Sequence, residues 1–160
     1  MDLRALKRIL VPTDFSDPSA EALATAMTLA QASGATLDLV HVAVEASFAL
    51  PPPIDVATVP IDITKMMERV TEGLAAEERR VVDSGLRCET VMLVGRPDAE
   101  IVARAAATHA ELIVMGTHGR SGLAHALLGS VAERVVQHAH CPVLIVPKRE
   151  AAGAGASTHA

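Results

Sequence analysis

Residues 112–115, Leu-Ile-Val-Met, form an apolar run without polar alternation, and Gly116 stops it abruptly. Such a run reads as a strand buried on both faces, and it needs a covering layer on each side. Gly119 follows, then nine residues, then Gly129-Ser130 at the head of a stretch with helical periodicity, giving the spacing G-x2-G-x9-G-S. Glycines let backbone N–H groups approach an anion without an intervening side chain, and a helix N-terminus adds free donors and a favourable dipole. The same residues also read more plainly, with Gly116 and Gly119 as turn glycines and Ser130 with Glu133 as an S-x-x-E capping box. A pattern of this kind arises by chance in roughly 1% of chains of this length. The rest of the chain must decide between the readings.

The other segments repeat one theme. Arg8 to Val11 is a short apolar strand ended by Pro12, with Thr13-Asp14 just after it. Asp17-Pro18 reads as an N-cap followed by proline at the first helical position. Ala20, Leu23, Ala24, Met27 and Ala30 give a helix face, and Gly34 closes the helix. Thr36 to Val42 is a second strand, Thr64 to Ser84 a long helix with Met66 or Met67, Val70, Leu74 and Val81 inward, and Cys88 to Val94 a third strand. Gly95-Arg96-Pro97 turns into a helix presenting Ile101, Val102 and Ala105. The Leu112 strand, the glycine loop, the Ser130 helix and a last strand at Val143 to Val146 complete the series.

Five strands alternating with four helices predict a doubly wound α/β fold, a parallel sheet with helices on both faces, and if the strand order is 3-2-1-4-5 the first and fourth strands are neighbours at the reversal. Ligands in such sheets bind beyond the carboxyl ends of the strands where the order reverses. Here that crevice has Asp14 on one side, suited to ribose or base groups, and the Gly116 loop on the other, suited to phosphates. The first 147 residues make one domain. Residues 43–63, Pro-rich yet apolar, read as a lid, an intersubunit contact or a segment packed on its own domain. The tail from 148 to 160 has nothing to bury and reads as disordered.

Composition excludes several classes. Half of the 160 residues are hydrophobic but only Phe15 and Phe48 are aromatic, so aliphatic residues must build the core. A net charge of −5 and the lack of a basic run argue against nucleic-acid binding. No stretch has the length of a membrane span or a signal peptide, and two cysteines make no disulfide framework, so a reducing cytoplasm is the expected location. There is no G-x-x-x-x-G-K-[ST] for a P-loop ATPase, no G-x-G-x-x-G for a dinucleotide enzyme and no G-x-S-x-G nucleophile elbow.

The segments KRILVPTDFS, LVHV, VGRP, MGTHGRSGLAHALLGSVAERVV and CPVLIVP together resemble the universal stress protein family over about residues 5 to 147. The resemblance implies a Rossmann-like three-layer sandwich with the five-stranded sheet in the order 3-2-1-4-5, and the ATP-binding branch, because the glycine pattern is intact. By position it implies that Pro12, Thr13, Asp14 and Val42 surround the adenosine, with Met115 beside Gly116. Gly119 and the amides of Gly129, Ser130 and Val131 would hold the phosphates of ATP, accompanied by Mg2+, with Arg120 an optional added charge. It further implies a nucleotide-dependent stress-response switch and a homodimer paired through Val143–Val146. An unpaired apolar edge strand is also an aggregation hazard, which agrees with that pairing.

Three rivals stand beside this reading. A slow ATPase would use His118 or Asp14, although no dedicated base is evident and no catalytic residue is assigned. A zinc or redox site would draw on His138, His140 and Cys141 with His118 and His125, against the plainer reading of His138 as a helix-end cap and Cys141 as a small buried residue. An interaction protein of the same fold would leave the pocket idle.

Overall fold

Along β1 (Arg8–Pro12), Ile9 and Val11 face one side of the sheet and Leu10 the other, and all three are fully buried. That is the signature of a strand covered on both faces. The computed structural model describes residues 3–44, 63–117 and 128–147. Most of the Pro-rich segment (45–62), the loop holding His118, Gly119, Arg120 and His125 (118–127) and the tail (148–160) lie outside the described residues.

β1 is followed by α1 (Asp17–Ser33), β2 (Thr36–Ala43), α2 (Ile63–Asp83), β3 (Arg87–Val94), α3 (Pro97–Ala107), β4 (Leu112–Gly116), α4 (Ser130–His138) and β5 (Val143–Val146). All strand pairs are parallel and the order is β3-β2-β1-β4-β5, the expected doubly wound arrangement. On one face, Ala22, Leu23 and Ala26 of α1 and Val70, Leu74 and Val81 of α2 cover Ile9, Val11, Leu37, Leu39 and Val114. On the other, Ile101 and Ala105 of α3 and Ala132 and Val135 of α4 cover Leu10, Val40, Ile113 and Met115. The order reverses between β1 and β4, so the chain leaves their carboxyl ends toward opposite faces and opens a crevice there.

Local details depart from the sequence reading in three places. The N-cap of α1 is Ser16, not Asp17. The Asp14 carboxylate accepts from both the Ser16 N–H and its hydroxyl, so the turn ends one residue early and Asp17 sits in the first helical turn. The buried line of α1 is Ser19, Ala22, Leu23, Ala26 and Ala30, whereas Ala20, Ala24 and Met27 are only half-buried. This helix is alanine-rich all round, so its periodicity alone does not select a face. The N-cap of α4 is Gly129 and Ser130 is the first helical residue, without a side-chain cap bond. The capping box therefore does not form, and the exposed Ser130 hydroxyl is left for other uses.

At the other end of the sheet Asp38 of β2 is completely buried. Arg104 of α3 donates to both of its oxygens at 3.0 Å, and Arg8 stands 3.7 Å away while bonding Glu89 on β3. A buried carboxylate is tolerable only with such compensation. The clamp locks α3 onto β1, β2 and β3 far from the crevice.

Candidate functional site

Pro12 ends β1, and the Thr13 N–H still donates to the Val40 carbonyl at 2.8 Å, so strand-like order carries one residue into the crevice. Thr13 is then a hub. Its buried hydroxyl donates to Glu77 of α2 at 3.0 Å, stands 3.3 Å from the Ser19 hydroxyl, and accepts the Phe15 N–H at 3.1 Å. Those bonds support an unusual backbone at Phe15, whose φ of 63° is costly for a residue with a side chain. The turn sends the Phe15 ring into α2 at Gly73, where a Cβ would come within 2.7 Å of it. The ring also stacks on His41, with centroids 4.9 Å apart. His41 Nδ1 lies 2.9 Å from the Thr13 carbonyl, which can only accept, so that nitrogen carries the proton.

Across the crevice, β4 delivers Met115, Gly116 and Thr117. A Cβ on Gly116 would stand 2.8 Å from the backbone of Pro18. This glycine therefore serves the close approach of β4 to the first turn of α1, as a strand residue and not as the turn glycine of the plainer reading. The Thr117 N–H donates to the Val146 carbonyl, and the Gly129 N–H donates to the Thr117 carbonyl at 2.7 Å. The Gly129 amide, expected among the phosphate donors, is thus engaged in joining the two ends of the glycine loop. Gly129 has φ −73° and ψ 152°, which any residue can adopt, so its backbone conformation does not call for glycine. The first i→i−4 bond of α4 runs from Glu133 N–H to Gly129, leaving the amides of Ser130, Val131 and Ala132 without intrahelical acceptors.

These parts enclose a cleft of about 900 Å³, near the upper end of the roughly 300–1,000 Å³ usual for small-molecule sites. Pro12, Thr13, Asp14, Val42, Met115, Gly116, Gly129, Ser130 and Val131 all line it, so nine sequence-selected residues from four separate segments meet in one place. Gly119 is the tenth and lies outside the described residues. Asp14 also shapes the turn into α1, its carboxylate accepting from the Ser16 N–H and hydroxyl.

The cleft has walls that the sequence reading missed. Phe15, His41, Lys65 and Arg69 line its α2 side, and Pro97 and Ile101 its α3 side. His41 was not detectable by strand alternation, which turns it to the face opposite Val42; it reaches the cleft because the cleft lies beyond the strand ends, where His41 meets the Phe15 ring and the Thr13 carbonyl. Lys65 and Arg69 stand one helical turn apart, but only packing aims that face of α2 at the crevice. Their charges favour an anionic ligand.

Electrostatics elsewhere favour structure over chemistry. Burial pushes the Cys88 thiol up to about 12, with the charges of Glu78 and Asp38 adding to it. Burial likewise raises Cys141, which packs in the α3–α4 core. Neither thiol has the environment of a reactive thiolate. His138 Nδ1 lies 2.7 Å from the Arg134 carbonyl, the helix-end role. Among the described residues no three His, Cys, Asp or Glu side chains gather as a metal site. Burial would raise Asp98 of α3, but its bond to Arg96 at 2.7 Å and the charges of Arg96 and Arg134 hold it below the usual carboxylate range. Through Arg134 at 3.9 Å, Asp98 ties α3 to α4 and steadies the helix whose first turn lines the cleft.

Comparison with known proteins agrees with this architecture. The model of the universal stress protein family matches residues 5–147. Universal stress protein MJ0531 of Methanocaldococcus jannaschii is 40% identical over 146 residues, spanning 90% of this chain and 85% of that protein. A universal stress protein solved in complex with cAMP superposes with TM-score 0.66 at 27% identity, covering 91% of this chain and 99% of that one. Another, from Archaeoglobus fulgidus in complex with dAMP, gives TM-score 0.63 at 26% identity over 89% and 98% of the two chains.

Proposed function

The chain belongs to the universal stress protein family, and on that premise we propose that its cleft binds an adenine nucleotide, ATP with Mg2+, as the signal of a stress-response switch. The observation that carries this reading is the meeting of two unlike half-sites. The head of α4, whose first amides have no intrahelical acceptor, lines the same cleft as Asp14, Val42 and Ile101. One half suits phosphates and the other a nucleoside. The two relatives solved with cAMP and dAMP bind adenine nucleotides on the same fold, which supports the choice of base.

In this reading Val42 packs on the base while Pro12, Thr13 and Asp14 surround the adenosine, Asp14 accepting from its polar groups. Met115 and Gly116 form the floor. The amides of Ser130 and Val131 and the Ser130 hydroxyl hold the phosphates, and Gly119 contributes from the loop. Lys65 and Arg69 add a favourable field. Mg2+ enters with the phosphates, as it usually does when nucleotide oxygens supply its ligands. No residue is assigned as a general base, so the role is binding rather than turnover. The protein acts in the cytoplasm as a homodimer through the outer edge of β5, whose Leu144 is an exposed large apolar residue.

Calorimetric titration of nucleotide-stripped protein with Mg-ATP, and with Mg-GTP as control, tests the reading. Saturable binding near one per subunit is expected for ATP. Asp14→Ala removes a charged acceptor worth about 1.5–3 kcal/mol, a loss of roughly 10- to 150-fold. Gly129→Val fills the mouth of the phosphate half and abolishes binding. Absence of heat and of any melting shift at millimolar ATP would refute a nucleotide role for the cleft.

A further inference from the structure

One ionisable group stands directly behind the cleft wall and takes no part in the reading above. Glu77 of α2 accepts the Thr13 hydroxyl on one oxygen, while its other oxygen, Oε2, is buried with no hydrogen-bond partner. A carboxylate offers about four acceptor sites, so its ionised form is poorly served here and a proton would relieve the cost. Around it are Thr13 and Asp14 beyond β1, the uncharged Ser19 on α1, Arg80 on its own helix and Cys88 on β3. Burial, and to a lesser degree the Asp14 charge, raise its pKa; the Thr13 bond and Arg80 act against them.

Thr13 connects this carboxyl to the site. The hydroxyl that donates to Glu77 also receives the Phe15 N–H, and the Thr13 carbonyl faces the His41 ring nitrogen. Resting on the nucleotide reading, we propose that Glu77 is a proton-linked positioning residue: it sets the Thr13–Phe15 turn, and binding of an anionic nucleotide is coupled to uptake of a proton at Glu77. The physical reason is charge. A polyphosphate beside Thr13 and Asp14 brings further negative charge into a region shielded from water, where one oxygen of the ionised Glu77 already lacks a partner. Binding therefore favours the protonated form, and affinity rises as pH falls through the Glu77 titration. Each unit by which nucleotide raises that pKa gives tenfold between the fully ionised and fully protonated limits.

Titration of wild type and Glu77→Gln with Mg-ATP in buffers of different ionisation enthalpy reads the coupling directly. Protonation of the phosphates themselves is common to both proteins. The expected result is an extra proton uptake in wild type that Glu77→Gln lacks, with a correspondingly flatter pH profile of affinity in the variant. Binding with the same proton uptake in both overturns the coupling alone. No binding by wild type overturns the nucleotide reading and the coupling with it. If Glu77→Gln does not fold, carboxyl 13C NMR of wild type decides. A Glu77 midpoint above that of ordinary glutamates, rising further on saturation with Mg-ATP, supports the proposal, and a midpoint unmoved by nucleotide overturns it.

Discussion

Replacing Gly116 by alanine separates the structural from the ligand-binding demand within the glycine motif. The added Cβ would stand 2.8 Å from both the carbonyl carbon and the Cβ of Pro18 and 2.9 Å from its oxygen. Carbon atoms pack comfortably at about 3.5–4.0 Å, so the contact is short by roughly 0.7–1.2 Å. Neither side yields easily. Gly116 is held in register opposite Val146, and Pro18 belongs to a turn held by Asp14 and Ser16. Overpacking of this kind costs about 1–3 kcal/mol. The reduced entropy of the unfolded chain returns about 0.4–1 kcal/mol. The net destabilisation is about 1.3 kcal/mol at mid-range, within about 0–2.6 kcal/mol, a mid-range fall in Tm of about 3–5 °C for a chain of this size. Gly129→Ala is the control: its backbone conformation suits alanine, and the modest loss of capping preference is offset by the same entropy gain. It should melt within about 2 °C of wild type. Differential scanning calorimetry of the two variants decides, and a Gly116→Ala protein melting at or above wild type would refute the steric argument.

Two further outcomes follow from the packing. Arg104→Ala strips both strong bonds from the buried Asp38 and leaves only Arg8 at 3.7 Å; urea titration should show a loss of about 3–5 kcal/mol, with most of it regained when Asp38 is also replaced by leucine. Leu144→Lys places a charge on the exposed strand β5, so sedimentation should find a dimeric wild type and a largely monomeric variant; a variant that stays dimeric would place the interface elsewhere.

The strands were legible because a sheet covered on both faces demands unbroken apolar runs. Leu112 to Met115 and Arg8 to Val11 were placed to within a residue of β4 and β1. Gly34, with φ 75°, ends α1 as its position predicted, since the left-handed conformation there is a local requirement. The cleft was legible once the strand order implied by the family resemblance was joined to the alternation of elements, because that order makes β1 and β4 diverge at its reversal. What stayed hidden depended on neighbours distant in the chain. The capping box at Ser130 matched a local pattern, yet Gly129 became the cap, with its N–H held by Thr117 across the glycine loop. Asp38 looked like one polar residue in an apolar strand until Arg104, 66 positions away, was folded onto it.

The sequence by itself determined the alternation of elements, the parallel sheet and the end of that sheet where ligands gather. Hydrophobic period, turn residues and chain chirality act over a few residues and need no partner to be read. Only the tertiary structure decided which face of the alanine-rich α1 meets the sheet and that Gly116 answers to Pro18. It also aimed Lys65 and Arg69 at the cleft and set Glu77 behind Thr13, 64 residues away. Contacts of that range arise from how whole layers pack against one another, and no local pattern encodes them.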